Sequence, residues 1–151
     1  MKTLLATLIT IVSFSIVVEG QEFTKLLEKT RSSIEKKWPD WKLISKDERE
    51  KEAVYNWGSV RFDVRILVFF GKSKDEAIKR MEADNWSISV GPGRKWTDLG
   101  DEAYMLVNSR SDFTRLRFRK ANVYIDIQAN SVAGAEELAR SVEKLIKKGG
   151  R

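Results

Sequence analysis

The chain has 151 residues and a net charge of +6, with neither cysteine nor histidine. The two missing residue types exclude Ser-His-Asp and Cys-His nucleophiles, His or Cys zinc sites, an imidazole pH switch and the lipobox thiol of a lipoprotein. Any catalysis would fall to carboxylates, Lys, Tyr or a Ser-Lys pair.

The first twenty residues read as an export signal. Lys2 supplies the positive start, Leu4 to Val18 run without a charge, and Val18-Glu19-Gly20 offers compact residues at a cleavage site. The apolar run is shorter than the roughly 20 residues that span a bilayer, so cleavage after Gly20 is expected rather than retention as an anchor. The expectation is a cleavable signal peptide over 1–20 and one soluble periplasmic or secreted domain over 21–151, with no transmembrane helix after cleavage. Loss of Lys2 and Glu19 leaves the net charge at +6. A domain of this length buries roughly two-thirds of its unfolded surface, and its Trp, Phe and Tyr rings make a core without disulfides feasible.

After the signal, Phe23, Leu26, Leu27, Thr30, Ile34 and Trp38 recur at helical spacing, and Pro39 stops the helix. Trp41 to Ser45 reads as a short strand and Lys46 to Glu50 as a charged turn. A hairpin about Gly58-Ser59 would pair Trp57 with Val60, Tyr55 with Phe62 and Ala53 with Val64. Asn56 then meets Arg61, and Glu52 meets Arg65, on the other face. The second strand continues through Ile66 to Phe70, apolar on both faces, as a central strand would be.

Ser73-Lys74-Asp75-Glu76 is a capping box opening a helix that buries Ala77, Ile78 and Met81. Trp86 to Val90 reads as a strand broken by Gly91-Pro92-Gly93, and Ala103 to Val107 as another. A second hairpin turns at Ala121-Asn122, pairing Phe118 with Ile125, Leu116 with Ile127, Arg117 with Asp126 and Arg119 with Tyr124. A one-residue slip there would bury the arginines. Ser131 caps a last helix with Ala135, Leu138, Ala139, Val142, Leu145 and Ile146 on one stripe, closed by Lys147, Lys148 and Gly149. The order is helix, three strands, helix, about four strands, helix. This predicts a single α+β domain, an antiparallel sheet with helices packed on one face and the other partly wet. A duplicated strand-strand-helix unit is hinted at.

Leu99 to Tyr104, Arg119 to Ile127 and the helix from Ser131 to Leu138 form a series. Over about residues 98–146 it resembles small exported bacterial proteins of unknown function, in which a GDEAY-type motif precedes a strand pair and a closing helix. The resemblance implies export and an α+β fold and brings no activity.

Alternation places Arg115, Arg117 and Arg119 in one row, with Tyr124 opposite Arg119, and Arg61 and Arg65 make a similar pair on the first hairpin. Together they could present phosphate, sulfate or carboxylate groups with a basic surface; the alternative is a solvated outer face neutralised by Asp126, Asp63 and Glu52. Asp98, Asp101 and Glu102 could hold a hard cation, but no EF-hand spacing is present and a turn that satisfies loop amides explains them better. Entering a strand side by side, Asp101 and Glu102 would point to opposite faces. The segment from Gly91 to Trp96 lacks a P-loop Lys-Ser/Thr and a following helix, so Trp96 is expected to cover a core edge. No cofactor is implied, and nucleic acid is disfavoured as a partner. Two readings lead. One is a non-catalytic exported binding or interaction domain for an acidic ligand or protein partner. The other is a basic protein resting on an anionic envelope polymer or membrane surface. A carboxylate-based enzyme is third.

Overall fold

A computed structural model describes the backbone of residues 2–59, 63–86, 93–108 and 113–146, and the side chains of those residues from Gly20 onward except 85 and 86. The elements follow the expected order: α1 (Lys2–Lys37), β1 (Lys42–Glu48), β2 (Glu52–Gly58), β3 (Asp63–Phe70), α2 (Lys74–Trp86), β4 (Arg94–Trp96), β5 (Glu102–Asn108), β6 (Phe113–Lys120), β7 (Val123–Ala129) and α3 (Val132–Glu143). The strands form one open antiparallel sheet in the order β1-β2-β3-β7-β6-β5-β4. β3 and β7 sit at its centre. Their apolar residues on both faces require cover on both sides.

That cover comes from different helices. Phe23, Leu26, Leu27 and Ile34 of α1 and Ala135, Leu138, Ala139 and Val142 of α3 pack on the face formed by Tyr55, Ile66, Leu116, Phe118, Ile125 and Ile127. Lys37 on α1 reaches Glu137 on α3 at 2.8 Å. The opposite face is not left wet. Ala77 and Met81 of α2 cover Leu67, Phe69 and Tyr124 there. The α+β class and the antiparallel sheet stand as expected, but the helices lie on both faces because Leu67 and Phe69 of β3 and Tyr124 of β7 give the second face an apolar patch for α2 to cover. β1-β2-β3 and β5-β6-β7 are arranged symmetrically about the β3–β7 seam, with β4 added at one edge. The helices that follow each half, α2 and α3, take opposite faces, so the repeat does not extend to them.

The two hairpins differ in how well their alternation located them. The Ala121-Asn122 hairpin has the expected register, with Phe118 opposite Ile125 and Arg117 opposite Asp126. The first hairpin is displaced by four residues along β3. Trp57 faces Val64, Tyr55 faces Ile66 and Ala53 faces Val68, with Gly58 opposite Asp63. Glu52 therefore meets Phe69 rather than Arg65, and Arg65 faces Asn56. An even displacement keeps every residue on its face, so alternation cannot distinguish the two registers. The observed one brings Tyr55 and Ala53 against the most apolar part of β3.

Three further boundaries differ. β1 runs on through Glu48, where a charged turn was expected, and carries a bulge between Leu43 and Ser45. α2 extends to Trp86, and the edge strand is Arg94–Trp96, pairing with Met105 to Ala103. The expected strand over 87–90, Gly91-Pro92, Arg61 and the closing Lys147 to Gly149 lie outside the described residues, as do the side chains of residues 1–19. Trp96 packs against the core edge, as expected.

Candidate functional site

The arginine row forms as the alternation requires, but α2 turns it into an interior. Arg117 and Asp126 are each 1 % exposed, and Tyr124 is 0 % exposed. Arg115 is held on both oxygens of Asp126: Nε donates to Oδ1 at 2.8 Å and Nη2 to Oδ2 at 2.6 Å. The Arg115 guanidinium also lies 3.6 Å from Asp84 on α2. Tyr124 Oη donates to Asp84 Oδ2 at 2.8 Å. Arg80, one turn before Asp84, bonds it and Glu52 and lies 5.8 Å over the Tyr124 ring. The premise of a solvated basic face is thereby corrected: Arg115 is held by Asp126 on the neighbouring strand and by Asp84 on α2, and Arg119 by Asp101. The missed partners, Arg80 and Asp84, are spaced i, i+4 on a helix that also buries Ala77 and Met81.

Burial governs the electrostatics. It pushes the Tyr124 phenol well above its ordinary range, reinforced by the charges of Asp126 and Asp84. It also lowers Arg117 below the ordinary arginine value, with Arg115 adding repulsion. Tyr55, on the opposite face, is raised by burial and by its hydrogen bond of 2.7 Å to Glu48.

Arg119 ends the row. Its Nη1 donates to Asp101 Oδ2 at 2.8 Å and to the Ala121 carbonyl at 3.2 Å. Asp101 Oδ2 also accepts the Ala121 amide at 2.8 Å. Ala121 is left-handed, with φ 52°, a conformation an L-residue holds at a cost, and Asp101 braces it. Glu102 accepts from Tyr104 Oη at 2.8 Å and lies 4.0 Å from Arg119. Asp101 and Glu102 thus converge on Arg119 instead of diverging, because Asp101 precedes the strand and escapes its alternation. Asp98 offers its backbone carbonyl to Arg140 at 3.2 Å. Among the described residues no three acidic groups gather in a metal-binding arrangement.

Arg65 is different. It lies on the same face in register with Gln128, which in turn faces Arg115. Among the described residues, Arg65 forms no ion pair. It lines an open cleft of ≈ 430 Å³ at the Gly58 end of the sheet. The remaining wall is mostly apolar, with Ile44, Trp57, Val64, Phe113 and Ala129, and carries Asn56, Asp63, Gln128 and Asn130 as polar groups. Ile44, the residue set in the β1 bulge, is 67 % exposed. Phe113 and Ile44 gave no signal in the sequence, since a bulge and a strand end both interrupt the alternation.

An open seven-stranded antiparallel sheet with helices on both faces and a half-apolar cleft at one end defines an α+β domain. No family model matches the chain, and no curated protein matches it. Its fold is similar to that of a crystal structure from Thermotoga maritima described as a GTP-binding regulator, with a TM-score of 0.55 and 17% identity over 83% of this chain and 90% of that one. Among the described residues no helix is long and apolar enough to cross a membrane.

Proposed function

We propose that this protein is a non-catalytic binding domain, exported through the segment 1–20, and that it receives its ligand or partner in the Arg65 cleft. The observation that carries this reading is the contrast among arginines. Arg115 and Arg119 are committed to Asp126 and Asp101, whereas among the described residues no acid pairs with Arg65, which lines a mostly apolar cleft. Small-molecule sites commonly have this composition, apolar with a few placed polar groups. A basic face resting on an envelope polymer gains less support, because the row that would form it is covered by α2.

A nucleotide reading, prompted by the description of the Thermotoga maritima protein, also gains less. Gly71-Lys72-Ser73 joins β3 to α2 in the order of a phosphate loop, but the position of that loop's first glycine is Ile66, paired with Tyr55 and Ile127. The Glu76 carboxylate already accepts the Lys72 amide at 2.6 Å and the Lys51 ammonium at 2.6 Å.

Native mass spectrometry of the protein recovered from outside the cytoplasm of its source cells tests both parts. The expected species begins at Gln21 and carries a bound molecule that is lost from Phe113→Ala. A mass that retains residues 1–20 would overturn cleavage. A bound molecule unaffected by Phe113→Ala and Ile44→Asp would overturn the cleft.

A further inference from the structure

The geometry points to the class of ligand: we propose that the Arg65 cleft selects small amphipathic anions, an apolar body bearing one carboxylate or sulfonate-like group. This deepens the reading above and rests on it. Arg65 is half-buried, and among the described residues its guanidinium has no hydrogen-bond or ion-pair partner. The cleft's own acid does not neutralise it. Asp63 faces Gly58 across the strand pair, and its Oδ1 lies 3.1 Å from the point a Cβ on Gly58 would occupy. No ion pair joins Asp63 to Arg65, two residues further along β3.

Ligand selection follows from the walls. Ile44 and Phe113 give the cleft apolar surface, and a cation beside such surface gains more from an anion than it would in bulk solvent. Arginine's planar fork suits the two oxygens of a carboxylate or two of a sulfonate. An uncharged apolar ligand of the same shape would take more water from Arg65 without offering it an acceptor, which costs free energy. The apolar lining thus supplies affinity, and Arg65 supplies discrimination against neutral analogues.

Two fluorescent probes separate these contributions: 8-anilinonaphthalene-1-sulfonate, which is anionic, and N-phenyl-1-naphthylamine, which is neutral. Both are titrated into the folded full chain. The anionic probe should bind about tenfold more tightly than the neutral one, the size expected of one charge-assisted hydrogen-bonded contact. Arg65→Gln should erase that advantage while leaving the neutral probe's affinity within about twofold, which also reports that the cleft has survived. Ile44→Asp, at an exposed position, should weaken both probes and so place them in the cleft. If both probes bind equally and Arg65→Gln changes neither, the anion preference is overturned while the cleft stands. If neither probe binds, the binding site itself is overturned.

Discussion

On the α1/α3 side of the sheet, Ile66, Leu116 and Ile127 meet Leu138 and Ala139 in an apolar cluster. Through the same strands, the α2 side buries Arg117, Arg119 and Asp126 beside Leu67, Phe69 and Tyr124. The first face is stabilised by area removed from water, which is non-directional and tolerant of small changes in shape. On the second, charges were taken out of water and are supported only by their partners. Breaking such a set by removing one member leaves another charge uncompensated, so few residues there can be changed independently.

Asp126→Ala should have the largest effect, because it strips the bidentate partner from Arg115 and the cross-strand acid from Arg117. A loss of about 3–5 kcal/mol is expected, measured as a lower urea midpoint at unchanged slope. A loss under about 1 kcal/mol would mean that water reaches this layer. Leu138→Ala, in the apolar face, should cost about 2–5 kcal/mol, set by how far α1 and the sheet close around the cavity. Unlike Asp126→Ala, its effect should not depend on pH.

Tyr124→Phe is the finer probe. Removing the hydroxyl that donates to Asp84 should cost about 1–3 kcal/mol near neutral pH. Its pH signature is more specific. The folded-state pKa of Tyr124 is raised, so the stability it contributes is fully present below the unfolded tyrosine value, about 10. That stability is lost as pH rises from there towards the folded value. The wild-type protein should destabilise steeply above about pH 10, and Tyr124→Phe should flatten part of that decline. An unchanged alkaline limb would assign the decline to other groups, of which Tyr55 is the first to examine because its pKa is also raised.

The cleft illustrates a third behaviour on the same face. Beyond the reach of α2, Arg65 keeps the strand position of a member of the buried layer, yet among the described residues it pairs with no carboxylate. Arg115 and Arg65 are separated only by Gln128 across the sheet, and the difference between them is that Arg115 meets Asp126 on β7 and Asp84 on α2.

Much of this was legible in residue order. Element order, the central place of β3, the register of the second hairpin and the shared face of Arg115, Arg117 and Arg119 follow from the two-residue period of a strand and the spacing of apolar residues in helices, which are local properties of the chain. The role of Asp101 was legible only as a carboxylate that satisfies loop amides; that the amide belongs to Ala121, twenty residues on, was not.

The first hairpin's register was not determined in this way, since slips of two or four residues leave the alternation intact and only packing against the rest of the sheet chooses between them. The fate of the arginine row was not determined either. A strand's sequence tells which residues share a face, but whether that face meets water or a helix depends on where a distant segment packs. Here α2 crosses β3, β7 and β6 with Arg80 and Asp84 in position, and that non-local choice separates a buried ion network at Arg115 from an open cleft at Arg65.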